Sequence, residues 1–76
     1  MFIGRVKKVK VGKYVVTYLA IDSNVGKKLN PKKVKVSIGG MEMVLDVKKG
    51  RMGYYAVIPP SVSPMVDSEL DYEVVE

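Results

Sequence analysis

The chain of 76 residues contains no cysteine, no histidine, no tryptophan and no glutamine. Without cysteine there is neither a disulfide framework nor a thiolate zinc site. Because histidine and cysteine are both missing, the chain lacks the commonest general base and a common nucleophile, which argues against an enzyme. The absence of thermolabile Cys and Gln beside abundant Lys and Val is typical of proteins from thermophiles.

Long apolar runs are also absent. No stretch approaches the roughly 20 apolar residues that a membrane-spanning helix requires, and Met1-Phe2-Ile3 is followed at once by charge, unlike a secretion signal. We therefore expect a cytoplasmic protein with no membrane partner. The hydrophobic fraction of 47% argues against a disordered tail. A chain this short predicts one domain, residues 1–76, with a thin core.

Charge is divided unevenly along the chain. Residues 1–38 hold ten Lys/Arg and one acid, a formal charge of +9, whereas residues 39–76 hold three Lys/Arg and seven acids, a charge of −4. The halves nevertheless look like copies, because a shift of 41 positions aligns nine identical residues among 35 pairs without a gap. This self-similarity predicts internal repeats, about 1–41 and 42–76. Neither unit is long enough to fold alone, so the two must share one core or pair with another chain.

The hydrophobic pattern favours strands. Alternation of apolar and polar residues predicts strands with one solvent-exposed face at residues 9–11, 34–38 and 72–74. Two segments are apolar on both faces and predict inner strands, at residues 14–18 and 54–58. Glycines predict hairpin tips at Gly12 and at residues 50–53.

After each inner strand, apolar residues recur every four positions. Ile21, Val25 and Leu29 fall on one face of a short predicted helix. Val62, Val66 and Leu70 repeat this spacing, and Ser63-Pro64 is a favourable helix start. The fold class that we expect is an all-β small barrel built from two pseudo-symmetric halves, each with one short helix or helical turn.

Basic residues concentrate at the two expected hairpins. The bases of the second half align with bases of the first at the 41-residue shift, although the second half is otherwise acidic. The predicted nucleic-acid-binding residues are Lys7, Lys8, Lys10, Lys13, Lys48, Lys49 and Arg51. Two-stranded ribbons that carry Lys and Arg fit a DNA groove or bind phosphates, and Arg51, flanked by glycines, suits a base-edge contact. The alternative is that lysines on strand edges only discourage aggregation.

Other candidate sites are weaker. Asp46, Asp67, Glu69 and Asp71 have the chemistry of a carboxylate site, but a solvated acidic surface is the simpler interpretation. Residues 67–71 lack the glycine turn and bidentate glutamate of a calcium loop. We therefore expect no catalytic residue, metal, cofactor or small-molecule substrate.

Tyrosines are the remaining candidates for a binding role. Stacking of the five tyrosines on single-stranded nucleic acid is one interpretation. Tyr14 and Tyr55 align at the repeat shift within inner strands, which favours packing in the core with the hydroxyl at its rim.

Two stretches carry a family resemblance. Residues 10–17, then a short helix and residues 32–36, resemble the AbrB/SpoVT/MazE type of swapped-hairpin DNA-binding domain. Residues 50–59, which end in Ile58-Pro59, resemble the same motif, so the chain is similar to a degenerate tandem duplication of it. In that family two short protomers interleave their hairpins into one barrel, and basic hairpin residues contact DNA. The resemblance implies a duplex DNA-binding transcriptional regulator or a chromatin-like protein.

Two alternatives remain open. Asp46-Val47, followed by residues 55–58 and Pro60, is also similar to the small β-barrel protein of archaeal pseudouridylation particles. That resemblance implies a component of an RNA-modification particle, with RNA in place of DNA. A non-catalytic protein-interaction adaptor is the third class.

A homodimer is expected because a small barrel buries little area alone. The acidic C-terminal surface would meet bases of the neighbouring copy and face away from DNA. Its acids are Asp67, Glu69, Asp71, Glu73 and Glu76. The bases facing them would be Lys27, Lys28, Lys32 and Lys33.

Overall fold

A computed structural model describes residues 2–51, 53–62 and 64–76 of the chain. These residues form six strands and one helix: β1 (Phe2–Val11), β2 (Tyr14–Ala20), α1 (Ser23–Leu29), β3 (Lys33–Ile38), β4 (Met41–Gly50), β5 (Gly53–Val57) and β6 (Glu69–Val74). The strands close into one antiparallel barrel, so the predicted small all-β barrel is confirmed. No helix in this part of the chain is long and apolar enough to cross a membrane.

The order of strands around the barrel is β1-β2-β5-β4-β3-β6, and β6 returns to β1. Each hairpin of one sequence half therefore lies between strands of the other half. The β1–β2 hairpin is flanked by β6 and β5, and the β4–β5 hairpin is flanked by β2 and β3. Because the halves interleave in this way, neither half forms its own sheet.

A two-fold exchange of the halves preserves this order, since β1, β2 and β3 change places with β4, β5 and β6. Backbone hydrogen bonds follow the same exchange. The Val6 N–H donates to the Ser68 carbonyl over 2.9 Å. Its counterpart is the Val47 N–H, which donates to the Lys32 carbonyl over 2.9 Å. The first strands thus correspond at the predicted shift of 41 positions, but the residues that accept these bonds correspond at a shift of 36.

The gap-free repeat register is wrong beyond the first strand of each half. After the inward-facing pair Val6 and Leu19, the first hairpin continues for five residue pairs to its tip. After the matching pair Val47 and Ala56, the second hairpin continues for only three. The first hairpin is therefore longer, and identical residues such as Tyr14 and Tyr55 occupy different structural positions.

Helix α1 has both of its ends capped. The Asp22 carboxylate accepts a hydrogen bond from the Asn24 N–H over 2.7 Å. Asn30 ends the helix in the left-handed conformation, with φ of 44°, and Pro31 follows, which cannot continue a helix. Val25 packs against the core, as its helical spacing predicts.

The second half contains no helix among its described residues. Leu70, expected on a helical face, lies in β6, and Val66 is exposed. The Ser68 N–H donates to the Met65 carbonyl over 3.2 Å, so residues 65–68 form a turn instead. Asp67 adopts a positive φ of 67°, which a continuing α-helix does not accommodate. The proposed cap at Ser63 lies outside the described residues.

Alternating side chains of all six strands fill the barrel. The buried apolar core consists of Val6, Leu19, Ile21, Val34, Val36, Ile38, Leu45, Ala56, Ile58 and Tyr72. The strands from Val34 to Ile38 and around Tyr72 show the predicted alternation of buried and exposed residues. In the described part of the chain no charged side chain is buried, so every Lys and Arg there is at least partly available to solvent.

Candidate nucleic-acid interface

Both hairpins extend past the closed barrel. In the described residues β1 pairs with β6 only from Phe2 to Arg5, and β2 pairs with β5 only from Tyr18 to Ala20. Residues 8–17 continue beyond this pairing as a two-stranded segment, which we name ribbon 1. At its base the Thr17 carbonyl still accepts a hydrogen bond from the Ile58 N–H over 2.9 Å. The corresponding end of the β4–β5 hairpin, residues 48–55, is ribbon 2. At its base Tyr55 still pairs with Ala20, and the Tyr54 carbonyl accepts a hydrogen bond from the Ile21 N–H over 3.1 Å. The hairpin tips predicted from glycine are thus confirmed, and six of the seven predicted bases lie on these ribbons.

The two ribbons lie at opposite ends of the barrel. Strands β2 and β5 are antiparallel neighbours, and each of them begins at the tip of its own hairpin. The tips therefore point in opposite directions. The seven predicted bases therefore do not share one surface: Lys7, Lys8, Lys10 and Lys13 form one cluster, and Lys48, Lys49 and Arg51 form another.

Ribbon 1 has two chemically different faces, because side chains alternate along each strand. Lys8 and Lys10 share the face of the buried Val6, beyond the end of the core. Lys8 lies opposite Thr17 in the pairing. The other face carries Val9 and Val11. Lys13 occupies the tip turn.

Acidic residues of the second half neutralise bases of the barrel wall. Lys7 Nζ lies 3.1 Å from Asp67 Oδ1, so the charge of this predicted site residue is paired. The other ion pairs are Arg5–Glu69 at 4.0 Å, Lys33–Glu76 at 3.9 Å, Lys35–Glu42 at 3.4 Å and Lys35–Glu73 at 3.7 Å. All of them are solvent-exposed and contribute little to stability.

This pairing determines which charges an anionic ligand can use. Among the described residues, no ion pair engages the six bases on the ribbons: Lys8, Lys10, Lys13, Lys48, Lys49 and Arg51. The acidic surface expected to meet a second copy is instead largely satisfied within the chain. The charge argument for a homodimer is thereby weakened, and the dimer stays a prediction.

Helix α1 adds bases beside ribbon 2 that were not predicted as site residues. The buried Gly26 packs directly on the Tyr54 ring, and the Tyr54 hydroxyl lies 3.4 Å from Asn30 Oδ1. Lys49 Nζ lies 5.5 Å from the centre of the same ring, in cation–π range. Lys27 and Lys28 lie in the last turn of α1, and Lys32 is hydrogen-bonded to β4 through its carbonyl. The sequence did not indicate that these lysines lie near ribbon 2, because it is the contact between α1 and β5 that brings them there.

Tyr14 is the most exposed aromatic side chain in the described residues, with 75% of its surface accessible. The prediction that it packs in the core is wrong, since the longer first hairpin carries it beyond the barrel. Tyr55 is half-buried and makes an edge contact with Tyr18, with ring centres 5.8 Å apart. The aligned tyrosines therefore have different roles.

The carboxylates do not converge. Asp67 and Glu69 each face a base, whereas Asp46 and Asp71 lie on different strands. No group of three or more acids in the described residues could hold a metal ion. Burial raises the pKa of Tyr72, the nearby backbone of Asp22 partly offsets this, and the Asp22 carboxylate adds to the rise. This tyrosine belongs to the core, away from both ribbons.

Comparison with family models, with curated proteins and with solved structures finds no match to this chain.

Proposed function

We propose that the chain binds duplex DNA by gripping backbone phosphates with its two ribbons, as a transcriptional regulator or chromatin-like protein. One observation carries the proposal. Five of the eight acids of the chain pair with bases of the barrel wall, whereas the six ribbon bases have no acidic partner in the described residues. Positive charge is thus left at the two protruding ends, where a polyanion has access to it.

The dimensions support duplex DNA as the ligand. A two-stranded β-ribbon fits the major groove, which is about 12 Å wide. The molecule measures 33 by 30 Å along its two longer axes. One turn of B-DNA spans about 34 Å, so both ends can reach phosphates within roughly one turn.

The interleaved strand order supports the resemblance to the AbrB/SpoVT/MazE family as part of the same proposal. Each hairpin lies between strands of the other half, which is how two swapped protomers would be arranged if they were fused in one chain. On this interpretation Gly39-Gly40, the turn between β3 and β4, joins the two former protomers.

The salt dependence of binding tests the proposal. Six neutralised phosphates give a slope of log affinity against log salt of about −5 for B-DNA. Fluorescence anisotropy of a labelled duplex of about two turns, measured across a salt series, gives this slope. Replacing Lys8 and Lys10 together by Gln should weaken binding and make the slope shallower by about two.

The matched control is the double variant Lys33→Gln and Lys35→Gln. It removes the same formal charge, but from residues of β3 that already face acids. A much smaller change in slope is expected for this control. Equal effects of the two double variants would contradict contact through the ribbons. Absence of binding to duplex DNA and to RNA at low salt would overturn the proposal, and tighter binding to structured RNA would replace DNA by RNA.

A further inference from the structure

Ribbon 1 ends in an exposed apolar face. On its outer side Val9 lies opposite Val16, and Val11 lies opposite Tyr14. Val11 and Tyr14 are 57% and 75% exposed. Within the described residues no ring contact or hydrogen bond engages Tyr14. Exposed apolar groups rimmed by charge commonly mark an interaction site.

The charges around this face indicate what covers it. A second copy packed face to face would bring its own Lys13, in the tip turn next to Tyr14, towards Lys13 of the first copy, and both chains carry a net charge of +5. Like charges placed together oppose such a contact. A nucleotide chain instead offers a flat ring to Tyr14 and a phosphate to the adjacent Lys13, which complements both features.

We propose that the outer face of ribbon 1 binds unpaired nucleobases, with Tyr14 as the residue on which a base stacks. The inference rests on the proposed nucleic-acid binding, and it specifies which form of nucleic acid ribbon 1 binds. The paired bases of an intact duplex present only their edges to a ribbon in the groove. Stacking therefore requires a single-stranded stretch, a gap or an unstacked base, and it is tolerant of sequence because every base has a π-face.

The experiment compares three labelled DNA ligands of equal length: an intact duplex, a duplex with a four-nucleotide gap, and a single strand. The unpaired nucleotides opposite the gap include 2-aminopurine, a base whose fluorescence changes when it stacks. The wild-type chain should bind the gapped duplex more tightly than the intact duplex and alter the 2-aminopurine signal. Tyr14→Ala should weaken binding to the gapped DNA by about 5- to 150-fold and abolish that signal.

Two further variants separate stacking from charge. Tyr14→Phe keeps the ring and should behave as the wild type on gapped DNA. Lys10→Gln should weaken binding to all three ligands and make the salt slope shallower by about one. Because Tyr14 is largely exposed, Tyr14→Ala should fold normally, which its circular dichroism spectrum and melting temperature check.

Several outcomes would overturn the inference. One is Tyr14→Ala with unchanged affinity and an unchanged 2-aminopurine signal on gapped DNA. Another is a dimer that sedimentation detects in the wild type and not in Tyr14→Ala, which would make this face an interface between copies. If the duplex binds with the expected salt slope while Tyr14→Ala has no effect, only the stacking inference fails. If the wild type binds none of the ligands, the proposed function fails with it.

Discussion

The buried hydroxyl of Tyr72 allows a direct test of how the core is packed. The side chain is 1% exposed, and its ring centre lies 5.6 Å from that of Phe2. The hydroxyl oxygen is buried, and no described residue meets hydrogen-bond geometry with it, although the Asp22 backbone lies close enough to influence its pKa. A buried polar group without a partner costs about 1–3 kcal/mol. Because phenylalanine keeps the ring and removes only this oxygen, Tyr72→Phe should raise the free energy of unfolding by about 1 kcal/mol at pH 7.

The same residue predicts a pH dependence. Burial holds the pKa of Tyr72 in the folded chain above the ordinary value of 10.0. As the pH rises past 10, the unfolded chain therefore loses this proton first, and the folded state is destabilised relative to it. The stability that protonated Tyr72 contributes is fully present below its pKa in the unfolded chain. It is lost as the pH rises towards its pKa in the folded chain, by at most about 1.4 kcal/mol per pH unit. Tyr72→Phe lacks this loss, so its advantage should be larger at pH 10.5 than at pH 7.

Urea denaturation followed by circular dichroism at pH 7 and pH 10.5 measures both effects. Tyr14→Phe is the matched control, because its hydroxyl is solvent-exposed, and it should stay within about 0.5 kcal/mol of the wild type at both pH values. A Tyr72→Phe variant that is less stable than the wild type at pH 7 would refute the reasoning. Such a result would mean that the hydroxyl is hydrogen-bonded, with Asp22 as the nearest candidate partner.

Two further changes test α1 and the ion pairs. Gly26→Ala ordinarily favours a helix, but here its Cβ would overlap the Tyr54 ring, so we expect a loss of about 1–3 kcal/mol in a thermal melt. Lys28→Ala in the same helix should change little, and an unaltered melting temperature for Gly26→Ala would contradict the packing. Asp67→Asn keeps a residue type that tolerates positive φ and frees Lys7. It should tighten binding to duplex DNA and steepen the salt slope by about one, whereas unchanged affinity at low salt would show that Lys7 takes no part.

Local patterns were enough to predict the barrel class and its hairpins. The alternation in Val34–Ile38 assigns side chains to the core or to solvent, because strand geometry has a period of two. Gly12 has a positive φ of 60°, which explains why glycine marks this tip. The order of strands around the barrel could not be predicted in this way, because alternation does not specify which strand lies beside which. Only the family resemblance indicated that the hairpins interleave.

Two predictions failed because short patterns have more than one structural solution. The spacing of Val62, Val66 and Leu70 fits a helix, but Leu70 belongs to a strand and Asp67 has a positive φ. The aligned Tyr14 and Tyr55 suggested equal burial. The two hairpins differ by two residue pairs in length, and identities aligned without a gap cannot detect this difference.

The placement of β6 affects how the chain can be made and shortened. This strand, the last of the six, lies between β1 and β3, and Phe2 of the first strand pairs with Tyr72. During synthesis the barrel therefore cannot close until β6 has left the ribosome. A chain that ended before residue 69 would leave β1 and β3 with unpaired edges, which recruit other chains into aggregates. Loss of β6 alone should thus convert a closed barrel into an aggregation-prone open sheet.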